Sequence, residues 1–405
     1  MNARARMPFL AYGRPCIEED DIAAVGRVLR SGWLTTGPVI DQFEAALARK
    51  VGAAHAVVCN SGTAALHLAA MVLGLDSNST VIVPAVTFVA TANAARYVGA
   101  RVVFADVDPQ SGLMTGDTVE AALGRAGSAN AVFPVHLNGQ TVDMPALRDI
   151  AARHNLALVE DACHALGTRF RDGDSWHTVG DGAHSRFQCF SFHPVKTIAM
   201  GEGGAVTTDD ATAARRIRNL RSHGVERSAD HFRDAAQALS HDGEPNPWYY
   251  ELHDLGYNYR ASDIQCALGL SQLGKLDRFK AMRQALVQIY DTLLSRLAPK
   301  VKPLARAAGC DPAWHLYVVQ IDFDALGVTR ANVMRQLAKL GVGTQVHYIP
   351  VPSQPYYRQY ESGDPRDLYP GAARYYASCL SLPLYVGMSP SDIARVVDAL
   401  ESALP

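Results

Sequence analysis

Lysine is almost missing from the middle of this 405-residue chain: the basic residues are overwhelmingly arginine, and from Val51 to Gly274 the only lysine is Lys196. Arginine can do a lysine's solubilising work but cannot lose its proton to become an amine nucleophile. A lone lysine in such a chain reads as chosen for chemistry. Other absences narrow the field. A formal charge of -2 and the lack of any Lys/Arg tract leave no basic surplus for a nucleic-acid backbone or an anionic membrane. No stretch is apolar for long enough to cross a bilayer, and the basic residues 1–6 are followed by no apolar signal core. A cytoplasmic protein with a small-molecule partner is expected. The 7 cysteines are odd in number and show no CxxC or Cys/His spacing. They suggest neither a disulfide framework nor a zinc site, and no metal is expected.

What is present points to an α/β protein. Short apolar runs at 54–59, 81–84, 101–107, 131–136, 157–161, 187–193 and 203–208 alternate with helical stretches, among them 18–30, 39–51 and 64–75. Alternation of this kind predicts a mostly parallel sheet of seven strands with helices on both faces. Beyond it, a long helical stretch over 262–297, strands near 315–323 and 343–348, and a closing helix over 389–404 predict a smaller α+β unit. The length supports two domains, 1–270 and 271–405.

Four local features carry chemistry. Asn60-Ser61-Gly62-Thr63 lies between a strand and a helix, where free N–H groups and the positive helix end suit a phosphate. Helix capping explains Ser61 or Thr63 equally well. The stretch lacks the lysine of a P-loop and the spaced glycines of a dinucleotide fingerprint, so a single phosphate fits better than a nucleotide. Asp161 ends the strand 157–161 and His164 follows it, at the sheet edge where open α/β sheets bind ligands. A carboxylate there suits a pyridinium nitrogen, although an N-cap role for Asp161 and a core role for His164 remain open. Phe88 follows another strand end, where it is either a stacking wall or core. Lys196 lies beyond the strand 187–193, ahead of the Gly-rich turn 201–204. An amine, a carboxylate, an aromatic ring and a phosphate cup together describe a pyridoxal-phosphate site.

With these residues in view, the chain resembles the sugar-nucleotide aminotransferases (DegT/DnrJ type) of the fold-type I pyridoxal-phosphate enzymes. The resemblance covers nearly the whole length and rests on Asn60-Ser61-Gly62-Thr63-Ala64-Ala65-Leu66, Glu160-Asp161-Ala162-Cys163-His164-Ala165-Leu166-Gly167, Phe190-Ser191-Phe192-His193-Pro194-Val195-Lys196 and Gly256-Tyr257-Asn258-Tyr259-Arg260. The pseudaminic-acid branch is the most similar, through Trp248-Tyr249-Tyr250-Glu251, His315-Leu316-Tyr317 and Val346-His347-Tyr348-Ile349-Pro350.

The resemblance implies that Lys196 forms the Schiff base to pyridoxal phosphate, Asp161 pairs with the ring nitrogen and His164 sits near the ring hydroxyl. It implies that Phe88 stacks on the ring, and that Ser61, Gly62, Thr63 and Ser191 hold the phosphate. Asn258 would reach across to a neighbouring subunit, making an obligate homodimer with shared active sites. Tyr12, the loop Gly32-Trp33-Leu34-Thr35 and His347-Tyr348-Ile349 would surround the nucleotide sugar, with Gly62, Ser191 and Asn258 also near it. L-Glutamate is the implied donor, and pyridoxamine phosphate the cofactor form left between the two half-reactions. A related dehydratase carries histidine in place of the lysine, whereas this chain keeps Lys196. Two departures from the family pattern are Cys163 and the longer approach 182–186, the second expected to bear on the mouth of the pocket.

Overall fold

The computed structural model describes residues 8–405, so the basic stretch 1–6 lies outside the described residues. The strands of the first part are β1 (His55–Cys59), β2 (Thr80–Pro84), β3 (Arg101–Ala105), β4 (Ala131–Val132), β5 (Ala157–Asp161), β6 (Arg169–Asp172), β7 (Ser175–Thr178), β8 (Phe187–Ser191) and β9 (Gly204–Thr208). All but the β6–β7 hairpin form one sheet in the order β1-β9-β8-β5-β4-β2-β3. β9 runs against both its neighbours, while the pairs from β8 to β3 are parallel. These are the seven strands and the α/β class expected from the sequence. Six of them point the same way, so their C-terminal ends gather along one edge of the sheet.

The helices α1 (Glu19–Ser31), α2 (Pro38–Val51), α3 (Gly62–Val72), α4 (Val89–Tyr97), α5 (Gly116–Ala126), α6 (Met144–His154) and α7 (Ala211–Leu220) complete the first part. A parallel sheet needs cover on both faces, which is why β1, β5 and β8 read as near-continuous apolar runs and are buried along almost their whole length.

The edge strand β1 shows how the sheet is closed without another strand. The Val58 N–H donates to Glu44 Oε1 at 3.0 Å, Arg218 Nη2 donates to the Ala56 carbonyl at 3.3 Å, and Arg221 donates to the Val58 carbonyl. Glu44 in turn accepts from Arg218 Nη2 at 3.1 Å and from Arg221. A buried carboxylate on α2 and two arginines, Arg218 on α7 and Arg221 at its C-cap, thus satisfy edge groups that would otherwise invite pairing with another chain. Glu44→Ala strands a buried N–H and leaves Arg221 without its counter-ion. We expect it to cost about 3–5 kcal/mol of stability, read as a lower midpoint in chemical denaturation, with Glu44→Gln intermediate.

Three expectations are corrected. The predicted strand 131–136 pairs as a strand only over Ala131–Val132, because Pro134 has no N–H to give; its carbonyl instead accepts from Asp161 N–H at 2.8 Å. The single helix over 262–297 is two, Asp263–Leu273 and Leu276–Leu294, with the break at Gly274–Lys275. There Lys275 turns its ammonium onto Glu18, Asp20 and Asp21 at the start of α1. The segment 343–348 forms one bridge, Gln345 to Ser381, rather than a strand.

Beyond the large sheet, Val301–Pro303, Tyr317–Ile321 and Cys379–Leu382 form an antiparallel sheet with Tyr317–Ile321 in the middle. A second apolar core lies against it, where Tyr290 stacks on Tyr317 with ring centroids 4.4 Å apart. Val319, Ile321, Leu382 and Leu400 belong to the same core.

Candidate active site

The C-terminal ends of β1, β2, β5 and β8 open on one cavity of about 620 Å³. Four separate stretches of sequence meet there because parallel strands deliver their exits to the same edge.

At the end of β1 the chain turns into α3. Ser61 is the N-cap, its Oγ accepting the Ala64 N–H at 3.1 Å. The capping explanation is therefore correct for Ser61. It leaves the N–H groups of Gly62 and Thr63, in the first turn, without intrahelical acceptors at the positive end of the helix. The turn is pressed against the end of β8: a Cβ on Gly62 would stand 2.8 Å from Ser191 Cβ and 3.0 Å from Cys163 Sγ. Gly204, at the start of β9, is as tightly placed, with a Cβ position 2.3 Å from the Ser61 carbonyl oxygen. We expect Gly62→Ala to push the first turn of α3 off Ser191 and lower stability by about 1–3 kcal/mol. Gly124→Ala, in the open interior of α5, should instead leave the thermal midpoint unchanged or slightly raised.

At the end of β5, Asp161 is buried and oriented from two sides. Its Oδ2 accepts from Thr91 Oγ1 at 2.6 Å, and its Oδ1 accepts from the Cys163 N–H at 3.1 Å. Thr91 sits one turn into α4 and is itself 2.7 Å from Thr87 Oγ1. Phe88, the N-cap residue of that helix, is 55 % exposed for so large an apolar side chain. Its exposed surface lines the cavity, with its ring centroid 5.9 Å from that of Tyr348.

His164 is fixed as a neutral ring. The Asn138 N–H donates to Nδ1 at 3.3 Å, which assigns the ring proton to Nε2, facing Tyr348 Oη at 3.1 Å. Burial holds its pKa well below the ordinary value, and the charge on Lys196 acts the same way. His315 packs on it with centroids 4.3 Å apart and is lowered by burial too, while burial takes His347 down to about 3. Three imidazoles around the cavity therefore add hydrogen-bonding capacity without positive charge.

Lys196 follows β8 through a tight turn closed by its own N–H on the His193 carbonyl at 2.8 Å. Burial lowers its pKa, opposed by Cys163 and Asp161. The lysine singled out by its isolation in the sequence thus shares a cavity with the carboxylate at the end of β5.

Most of the residues singled out in the sequence come together. Ser61, Gly62, Thr63, Phe88, Asp161, His164, Ser191, Lys196, Tyr12 and the run His347-Tyr348-Ile349 all line the cavity. Asn258 and the loop Gly32-Trp33-Leu34-Thr35 do not; all five are exposed on the surface of the chain. Thr91, His315 and Asn138 went unassigned in the sequence. Thr91 carried one legible signal, its i, i+4 spacing from Thr87. The segment 182–186 packs away from the cavity, with His184 on Asp172 at 2.9 Å and edge-on to Phe170. Asp172, His177 and His184 bring possible ligand atoms within 4.8 Å of one another. Arg148 Nη1 already donates to Asp172 Oδ2 at 2.7 Å, and a cation at that oxygen makes the cluster an ion-pair network.

Comparison with known proteins places the whole chain. The SpsC spore coat polysaccharide biosynthesis protein of Bacillus subtilis (strain 168) is 39 % identical over 399 residues, 98 % of this chain and 97 % of that protein. Among solved structures, Helicobacter pylori PseC, an aminotransferase involved in the biosynthesis of pseudoaminic acid, superposes with a TM-score of 0.85 at 28 % identity over 98 % of this chain and 99 % of that one. A Streptococcus pneumoniae protein in its PLP form gives 0.83 at 26 % identity, with 98 % of each chain covered. The model of the DegT/DnrJ/EryC1/StrS aminotransferase family matches residues 15–401, and the chain belongs to that family.

Proposed function

We propose that this chain is a pyridoxal-phosphate-dependent aminotransferase that moves the amino group of L-glutamate onto C4 of a 4-keto-6-deoxy nucleotide sugar. The first candidate acceptor is UDP-2-acetamido-2,6-dideoxy-β-L-arabino-hex-4-ulose, as in pseudaminic-acid biosynthesis. The observation that carries the reading is a desolvated lysine amine, a buried carboxylate and an open helix N-terminus on the walls of one cavity.

The residues present fit the cofactor. The close approach of Gly62 to Ser191 makes a narrow cradle at the start of α3, where the Gly62 and Thr63 N–H groups and the Ser191 hydroxyl would hold the phosphate and Ser61 would keep the turn in shape. Phe88 would back the ring, Asp161 would accept from its nitrogen, and the His164–Tyr348 pair would sit by its hydroxyl. When bound, pyridoxal phosphate supplies a carbonyl that condenses with amines and a ring that accommodates the electron pair freed at the donor's Cα.

The chain's own part is positioning and proton transfer. The lowered pKa of Lys196 raises the share of neutral amine near neutral pH, the form that acts as nucleophile and base. Its Nζ takes the proton from the donor's Cα and gives it back on the acceptor's side. Asp161 uses one oxygen on Thr91 and the other on the Cys163 N–H, and each keeps a lone pair for a positively charged N–H. Tyr12, His347, Tyr348 and Ile349 wall off water and flank the acceptor.

Asn258 and the 32–35 loop act from a second copy in this reading, which makes the working unit a homodimer. Its support is the exposed apolar surface that a lone chain would present, with Trp33 59 %, Trp248 75 % and Leu255 82 % exposed.

A second reading, a 3- or 4-aminotransferase for another UDP-, GDP- or dTDP-linked keto sugar, is favoured by one finding. The curated relative at 39 % identity belongs to spore coat polysaccharide synthesis, and PseC is only 28 % identical. Incubating the holoenzyme and L-glutamate with a panel of 3- and 4-keto nucleotide sugars, and locating the new amine by NMR, decides between them. The first reading expects the UDP-linked 4-keto sugar to be aminated at C4 with the highest kcat/KM. Amination only of another sugar, or at C3, would replace it with the second.

A further inference from the structure

A second cavity lies over the edge strand β3, outside the site described above. It measures about 350 Å³ and is lined by Arg96 from the last turn of α4, Arg101 on β3, Arg125 on α5 and aromatic residues of the segment 357–369. Among the described residues, none of these three arginines has a carboxylate within ion-pairing distance, whereas Arg148, Arg153, Arg221 and Arg306 are all paired.

Main-chain carbonyls and one phenol hold the three guanidinium groups instead: Arg96 Nε donates to Tyr356 Oη at 3.5 Å and Arg125 Nη1 to Ala121 O at 3.4 Å. Arg96 Nη1 donates to Ala100 O at 2.8 Å, Arg101 Nη2 to Ala126 O at 3.4 Å and Arg125 Nη2 to Phe104 O at 2.5 Å. Each guanidinium carries five N–H donors in a fork suited to phosphate, so most of that capacity is unspent. The groups are also held by aromatic faces: Arg96 lies 5.2 Å from the ring centroid of Tyr360, and Arg125 5.5 Å from that of Tyr369.

The rest of the wall argues for more than a bare anion. Tyr357 and Tyr369 are buried, while Tyr360 is 60 % exposed at the rim, with Arg96 over its ring and Tyr356 edge-on to it. Glu361, the one carboxylate on the wall, accepts from Tyr369 Oη at 3.0 Å, and its remaining lone pairs suit a hydroxyl or a ring N–H. Burial raises its pKa, which weakens its opposition to an anion. Inorganic phosphate would fill a small part of such a volume and leave the rings and the acceptor unused.

We propose that this cavity binds a nucleoside phosphate, its phosphate on Arg96, Arg101 and Arg125, its base against Tyr360 and a hydroxyl or ring N–H on Glu361. A free nucleotide and the nucleotide end of a nucleotide sugar share this chemistry. The cavity and the candidate active site lie at opposite ends of α4, which has Phe88 as its N-cap and Arg96 in its last turn.

Calorimetric titration of the holoenzyme with UMP, UDP-N-acetylglucosamine and inorganic phosphate tests the assignment, with AMP as a check on the base. In the wild type, nucleoside phosphate should bind at least about tenfold more tightly than inorganic phosphate, since the base and hydroxyl contacts add to the ionic ones. Arg96→Gln/Arg125→Gln should weaken this binding about 100-fold, about tenfold for each guanidinium–phosphate hydrogen bond removed. The same variant should keep wild-type transamination, which separates this site from the active cavity.

Tyr360→Ala alters a rim residue that the fold does not need. It should weaken UMP and leave inorganic phosphate unchanged. UMP tighter than UDP-N-acetylglucosamine indicates a site for the free nucleotide, and the reverse order one for the nucleotide sugar. The active cavity takes a nucleotide sugar in the proposed function, so the readout is the second binding event per chain: its absence in the wild type, its survival in both variants, or inorganic phosphate binding there as tightly as UMP overturns the proposal.

Discussion

Lys196→Arg is expected to abolish the glutamate half-reaction, by roughly 10³-fold or more, the upper part of the range for a positioned acid–base group. Arginine keeps the positive charge and much of the length but stays protonated throughout the working pH range, so it can neither condense with a carbonyl nor take a proton from Cα. Burial already pulls the pKa of Lys196 below its ordinary value, and the wild-type rate should therefore rise with pH to a midpoint below that of a free lysine. The variant should still fold, because Lys196 makes no side-chain hydrogen bond or ion pair among the described residues and its turn is closed by the backbone. Stopped-flow mixing with L-glutamate, next to a denaturation curve, separates lost chemistry from lost fold. A variant within tenfold of wild type would remove Lys196 from its role.

Asp161→Asn should slow the same half-reaction by about 10²–10³-fold, the scale on which losing one preorganised electrostatic group is felt, while the cofactor still binds and still colours the protein. The amide keeps the shape and one carbonyl acceptor but loses the charge that would face a protonated ring nitrogen. It also presents N–H donors where Thr91 Oγ1 and the Cys163 N–H now donate. Thr91→Val keeps the carboxylate and removes one of its two supports, so a smaller loss of about tenfold in kcat is expected, with KM for L-glutamate nearly unchanged. The expected ordering Lys196→Arg, Asp161→Asn, Thr91→Val follows from the three proposed jobs: proton carrier, charge partner and positioning residue. An Asp161→Asn enzyme at full rate would show that the carboxylate only shapes the wall.

The residues at strand ends were the legible part of this molecule. Lys196, Asp161, Phe88 and the Ser61–Thr63 turn each follow a short apolar run, and a parallel sheet brings such exits to one edge whatever the loops between them do. Thr91 and His315 were harder to see because they support other side chains. Thr91 reaches Asp161 across 70 positions, and His315, just ahead of the strand Tyr317–Ile321, packs on His164 from a distant part of the sequence. Asn258 and the 32–35 loop are exposed and do not line the cavity of their own chain, so a role for them rests on the proposed second copy.

Local geometry explains the misread elements. Pro134 stops a strand, the acidic start of α1 captures Lys275 at a helix break, and 343–348 leaves the sheet after one bridge to line the cavity. The pairing of Glu44 with Arg218 and Arg221 involves residues that look like ordinary surface charges in the sequence. Only the fold shows them closing a sheet edge.

The most direct test of the central claim is the absorption spectrum of the purified holoenzyme during titration with L-glutamate. The visible band of the bound cofactor should disappear and a shorter-wavelength band of the amine form should replace it, with 2-oxoglutarate released in equal amount. A keto nucleotide sugar added next should restore the first band. A protein whose spectrum is indifferent to L-glutamate and to every other amino donor, or one that binds no pyridoxal phosphate, would contradict the account.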